Sequence, residues 1–272
     1  MVIFAEAETS LPAASLDLVR LSNGVTLHYA HQGPQSGPAL VMLHGFTDSW
    51  FSFSRVLPLL PPDLRVIVPD LRGHGDSERP ETGYRLTDFA DDVIKLMDAL
   101  QVPKAVLVGH SMGSFVARKV NELAPARVAR LVLVGAGLLS ANAATSDLAQ
   151  SVSALTDPVD EAFVREFQFG TINGDVPGSF MEVIVANSRR TPARIWRAAL
   201  QGMLDDAIKL SRPNVRTLVV GGRQDSIFSS TEQMVLARQF PRGELHLIDG
   251  VGHALHWERP ESFVNALIRF GV

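Results

Sequence analysis

The sequence predicts an α/β fold, a mainly parallel sheet with helices on both faces. Three observations carry this. Short apolar runs rich in Val, Ile and Leu, of the length of buried strands, alternate with segments of helical period. One such run, Ala105-Val106-Leu107-Val108, enters Gly109-His110-Ser111-Met112-Gly113 and then a helical pattern marked by Phe115, Val116, Val120 and Leu123. The alternation stops over 138–212, where only helical segments rich in apolar residues occur, and resumes after 213. That break reads as a helical insertion into a single sheet.

The elements follow in order. Residues 1–15 read as an arm without a clear period. Strands are expected at 16–21 and 25–30, joined by Ser22-Asn23-Gly24, because Asn-Gly is a strong hairpin signal. The next strand, 39–43, ends in His44-Gly45-Phe46. Apolar residues recur at near-helical spacing over 50–60, and Pro61-Pro62 stops them. A buried strand at 66–68 runs into the glycine-rich segment 69–77, read as a structural turn since it lacks the spacing of a phosphate loop. An amphipathic helix spans 87–100, with Thr87 as its expected N-cap and Asp88, Asp91 and Asp92 suiting the positive end of its dipole. After the central strand and helix come strands at 128–134, 215–220 and 244–248, and a closing helix at 260–270 with Pro260 in its first turn.

The chain has 272 residues, 46% of them hydrophobic, enough for one large domain with an insertion or for two small domains. A net charge of −4 gives no basic footprint for nucleic acid. The absence of cysteine excludes disulfides, thiolate catalysis and cysteine metal sites. No run approaches the length that spans a bilayer, and the first residues carry Glu6 and Glu8 without a basic cluster, so no membrane association and a cytoplasmic location are expected.

A serine hydroxyl is a weak nucleophile at neutral pH and needs a base, which in turn needs an orienting acid. In G-x-S-x-G between strand and helix, the glycines permit a crowded turn and Ser111 projects its hydroxyl above the sheet. Parallel sheets present functional groups beyond the carboxyl ends of their strands. Asp225 follows one such strand and His253 another, in the chain order Ser111, Asp225, His253. Asp249 is a poorer acid, too close in sequence to His253 to reach beneath its ring, and Asp205 and Asp206 fall in the insertion. A tetrahedral oxyanion needs two N–H donors. Met112, next after the serine, supplies one, and Phe46 in the 44–46 loop supplies the second. His44 holds that loop. His28, His31, His110 and His246 read as structural or surface residues, and His256 is left without a role.

Taken together, His44-Gly45-Phe46, the run from Asp70 to Ser77, Gly109-His110-Ser111-Met112-Gly113, Gly222-Arg223-Gln224-Asp225 and Gly252-His253 resemble the α/β-hydrolase superfamily over about residues 16–272. The resemblance implies eight strands, a cap of helices between strands six and seven, and a Ser111–His253–Asp225 triad. The core would comprise 16–137 and 213–272, and the cap 138–212. Within the superfamily the chain is similar to cofactor-free esterases, enol-lactonases, carbon–carbon bond hydrolases and non-haem perhydrolases. Epoxide hydrolases and haloalkane dehalogenases, which it also resembles, have aspartate where this chain has Ser111. Ser114 stands where many relatives have a third glycine. The expected activity is hydrolysis of a small, largely apolar ester or lactone through an acyl-enzyme, with no metal or cofactor, by a monomer or homodimer. Carbon–carbon hydrolysis, perhydrolysis and ligand sensing on the same fold are the alternatives. Phe46, Trp50, Phe163, Phe167, Trp196, Met203 and Leu255 are the expected walls of an apolar substrate pocket.

Overall fold

The computed structural model describes residues 14–138, 140–206, 208 and 213–272. Most of the expected N-terminal arm lies outside these residues. Eight strands form one sheet: β1 (Ser15–Arg20), β2 (Thr26–Gln32), β3 (Ala39–Leu43), β4 (Arg65–Pro69), β5 (Ala105–His110), β6 (Val128–Val134), β7 (Thr217–Gly222) and β8 (Gly243–Ile248). Their spatial order is β1-β2-β4-β3-β5-β6-β7-β8. β2 runs antiparallel to both β1 and β4, and every other pairing is parallel. The β1–β2 hairpin turns where Asn-Gly predicts it, and Gly24 has φ +88°, a conformation that favours glycine.

β5 and β7 are buried from end to end and β3 over all but its first residue, as apolar runs rather than alternating ones require. Their side chains feed two cores. One face carries α1 (Leu86–Ala99), α2 (Met112–Leu123) and α7 (Ser230–Ala237) over Leu107, Leu131 and Val219. The other carries α9 (Pro260–Phe270) and the 3-10 turns over Leu40, Val106 and Val132. Between β6 and β7 the chain inserts four helices, α3 (Ala143–Ser153), α4 (Glu161–Phe169), α5 (Gly178–Arg189) and α6 (Ala193–Asp205). A short helix, α8 (Leu255–Glu258), follows β8. Among the described residues, no helix is long and apolar enough to cross a membrane.

Two local expectations need correction. The near-helical spacing over 50–60 gives two separate 3-10 turns, Trp50–Phe53 and Leu57–Leu59, with Pro58 inside the second. Packing of Phe53, Val56 and Leu57 against the sheet satisfies the spacing without an α-helix. The helix expected to be capped by Thr87 starts one residue earlier, and Arg85 is its N-cap. Asp88 reaches back to the Arg85 N–H at 2.9 Å. Thr87 instead gives its N–H and hydroxyl to Asp206 at the end of α6, both at 2.7 Å.

The segment after β4 is structural, as its sequence suggests. Asp70 accepts the N–H groups of Trp50 and Asp76 at 2.6 and 2.9 Å and sits 2.7 Å from His28 Nδ1. Arg72 makes two bonds, each 2.5 Å, to buried Asp92 of α1. The turn fixes the floor on which the β3 loop rests.

Candidate active site

Ser111 is the single residue between β5 and α2, with φ +50° and ψ −117°. A serine holds that strained backbone only where the surroundings leave no alternative. Here they do not. A Cβ on Gly109 would lie 2.2 Å from the Gly113 carbonyl oxygen, and one on Gly113 would lie 2.2 Å from the Leu43 carbonyl oxygen. The glycines therefore let α2 start directly against β5 and β3. Ser114, at the position of the missing third glycine, donates its hydroxyl to the Ser111 carbonyl at 2.6 Å. It clamps the turn rather than merely filling space.

Asp225 lies just past β7 and His253 just past β8, and the parallel pairing of these strands brings the two loops together. His253 Nδ1 is 3.0 Å from Asp225 Oδ2. Asp225 Oδ1 accepts the N–H groups of Ile227 and Phe228, both at 2.9 Å, and Gln233 Nε2 lies 3.3 Å from Oδ2. The carboxylate is thus locked by three donors beside the imidazole. It does not cap the following helix, whose N-cap is Ser229. Asp249 points away, paired with Arg223 at 2.5 Å on the surface. His253 Nε2 is buried and has no hydrogen-bond partner among the described residues. Both Ser111 and His253 line one small cavity of about 40 Å³.

Phe46 lies in the loop after β3, and Gly45 is required there because a Cβ would meet His110 Nδ1 at 2.8 Å. His44 does hold the loop: Nδ1 lies 2.8 Å from the Gly45 carbonyl, and Nε2 accepts the Leu71 N–H at 2.9 Å. These contacts make the ring a neutral Nδ1–H tautomer, and burial pushes its pKa well below the ordinary histidine range. Met112 opens α2, and the first N–H groups of a helix have no acceptor within it.

The expected pocket walls divide. Phe46, Phe167 and Met203 line the cavity. Phe163 and Trp196 lie outside its lining and brace it: Trp196 packs edge-on against Phe46 and Phe167, centroids 5.2 and 5.3 Å apart, and Phe163 against Trp196 at 5.6 Å. Leu255 is buried in the core on the opposite face of the sheet. Trp50 packs beside Phe51 and gives its N–H to Asp70. Aromatic content could not separate lining from bracing, since both need large apolar side chains.

The cavity also holds polar residues that sequence reasoning did not single out: Asp48, Gln168 and Thr171. Asp48 is 3% exposed. Its Oδ1 accepts from Gln168 Nε2 at 3.2 Å, and Ser52 Oγ lies 3.4 Å from Oδ2. Burial pushes its carboxyl up to about 7, against the lowering effect of those two hydrogen bonds and of His253. The polar triplet Thr47-Asp48-Ser49, between Phe46 and Trp50, was the one available signal. His110 lines the cavity and His256 lies behind it, ring centroids 4.4 Å apart, and His110 lies 4.9 Å from His253. Burial drives both pKa values down, His256 to about 3, so both rings are neutral.

Among the described residues, His28, Asp70 and Asp76 bring candidate metal-ligand atoms within 4.8 Å of one another. Their polar atoms already serve the structural turn, and Arg190 pairs with Asp76.

Comparisons with known proteins agree with the fold. The family model described as the alpha/beta hydrolase fold matches residues 38–260. The chain belongs to the α/β-hydrolase family. This α/β-hydrolase is 28% identical over 279 residues to an AB hydrolase superfamily protein of Bacillus subtilis, covering 91% of this chain and 94% of that one. Among solved structures it is similar to a hydrolase from Pseudomonas aeruginosa, with a TM-score of 0.83 and 25% identity, covering 96% of this chain and 100% of that one. It is similar also to a thermophilic esterase from Thermogutta terrifontis, with a TM-score of 0.80 and 25% identity, covering 94% and 98%.

Proposed function

We propose that this α/β-hydrolase is a serine esterase or lactonase that cleaves a small, largely apolar substrate through an acyl-enzyme on Ser111. The observation that carries the reading is His253: Nδ1 held by Asp225 at 3.0 Å, Nε2 buried and unpartnered beside the cavity that Ser111 lines. An imidazole so arranged has its free lone pair on Nε2, ready to take a proton. His253 removes the Ser111 proton as Oγ attacks the substrate carbonyl carbon. The N–H groups of Phe46 and Met112 hold the oxyanion. His253 then gives the proton to the departing alkoxide, the acyl C–O bond breaks, and the alcohol leaves. In a lactone the alcohol stays attached to the acyl group. Water, deprotonated by His253, attacks the acyl-enzyme and regenerates Ser111. Asp225 keeps the Nδ1–H tautomer and stabilises the imidazolium throughout.

The esterase likeness in the comparisons supports this chemistry. The size and apolar walls of the cavity support a short acyl group. The test is turnover of p-nitrophenyl acetate, butyrate and octanoate by wild type and Ser111→Ala. Expected are the fastest rate with acetate and a loss of about 10⁶-fold in kcat in the variant. Turnover that survives in Ser111→Ala overturns the role of Ser111, and failure of the wild type on every ester overturns the ester reading.

A further inference from the structure

Beyond the triad, the loop that carries the Phe46 N–H is gripped by the inserted helices at three successive residues. Thr47 has φ +62°, a left-handed conformation that a β-branched residue adopts only under constraint. The constraint is visible. Ser188, on α5 and fully buried, donates its hydroxyl to the Thr47 carbonyl at 3.0 Å. The Thr47 hydroxyl lies 3.0 Å from Ser188 Oγ and must be the donor there, because the single Ser188 proton is already used. Gln168 Nε2, on α4, gives a hydrogen to Ser188 Oγ at 2.5 Å and reaches Asp48 Oδ1 at 3.2 Å. Asn187, again on α5, donates to Ser49 Oγ at 3.1 Å. The Ser188 hydroxyl thus has its one donor and both acceptor sites filled.

We infer that Ser188 and Gln168 are positioning residues: they hold Thr47 in its left-handed conformation and so fix where the N–H of Phe46 points. The inference rests on the Ser111 mechanism proposed above. Its content is that the inserted helices set the oxyanion donor as well as the pocket walls. A bond network spent only on anchoring these helices has no need to converge on the one strained non-glycine residue next to that donor. The Phe46 ring is held from the same side, by Phe167 and Trp196, so side chain and backbone of this residue both take their placement from the insertion. Misplacing a catalytic group by a fraction of its contact distance costs rate without costing substrate affinity.

The test uses Ser188→Ala and Gln168→Met in the full chain. Two readouts are needed: steady-state hydrolysis of p-nitrophenyl acetate, and the rate at which a fluorophosphonate labels Ser111. The phosphoryl oxygen of that probe develops negative charge where the ester oxyanion would. Expected is a fall of about 10–100-fold in kcat and in labelling rate together, with KM within about twofold of wild type. Adding Thr47→Gly to Ser188→Ala is expected to recover much of the loss, since glycine takes the left-handed conformation without the clamp. Variants that remain folded and label at the wild-type rate overturn the inference while leaving the Ser111 mechanism intact. So does a rise in KM with kcat unchanged, which marks a loosened pocket. If Ser188→Ala does not fold, Gln168→Met decides. A wild type that the probe does not label overturns the mechanism, and this inference with it.

Discussion

Asp48 offers a test of the buried chemistry that does not depend on substrate. Its carboxyl is raised from 3.8 to about 7, chiefly by burial. The folded protein therefore binds a proton that the unfolded chain releases above about pH 4. A group shifted in this direction contributes full stability below its unfolded pKa, and that contribution is lost as pH rises through the folded value. Three pKa units at 1.36 kcal/mol each give a total of about 4 kcal/mol, of which roughly 2–3 kcal/mol falls between pH 5 and pH 8. Asp48→Asn keeps the shape and an oxygen for Gln168 but cannot ionise. Its stability should therefore decline less than that of wild type over this range. For a chain of this size, 1 kcal/mol corresponds to about 2–4 °C in Tm. The variant should gain roughly 5–10 °C on wild type between pH 5 and pH 8, followed by differential scanning calorimetry. Comparing the two proteins at each pH cancels titrating groups not coupled to Asp48, including His28, which Asp70 raises, and buried neutral His44 and His256. Parallel Tm–pH curves would show that Asp48 ionises like a solvated carboxylate and refute the burial argument.

Two further outcomes follow from named contacts. Asp225→Asn should fold, because an amide oxygen still accepts the N–H groups of Ile227 and Phe228, yet lose about 10⁴-fold in kcat on p-nitrophenyl acetate through the wrong histidine tautomer; loss of less than tenfold would move the orienting role elsewhere. Arg72→Ala strips the charged partner from Asp92, whose side chain is 1% exposed and keeps only the Asn23 amide at 2.8 Å, and should cost about 3–5 kcal/mol in urea unfolding, whereas Arg72→Met with Asp92→Leu should recover most of it.

What was legible in the sequence was what is local or periodic. Glycines at 109 and 113 are needed by a single turn, and the turn's context, strand before and helix after, is written in adjacent residues. Asp225 and His253 were legible for a related reason: each sits one short loop beyond an apolar run, and parallel pairing of β7 with β8 must bring such loops together. The pocket was not legible, because which aromatic of α4 or α6 faces inward depends on how those helices lie on the core. Phe167 lines the cavity while Phe163, one helical turn away, braces Trp196. Asp48 escaped for a different reason. An aspartate in a polar loop segment is ordinarily solvated, and the insertion closing over it helps to bury it. The same closure brings Ser188 and Gln168, more than a hundred residues away in sequence, onto Thr47. On the mechanism proposed above, the bond-making steps fall to residues written in short motifs, while substrate size and donor alignment depend on the inserted helices. A chain that kept every motif but exchanged residues 143–205 is then expected to keep its chemistry and change its substrate.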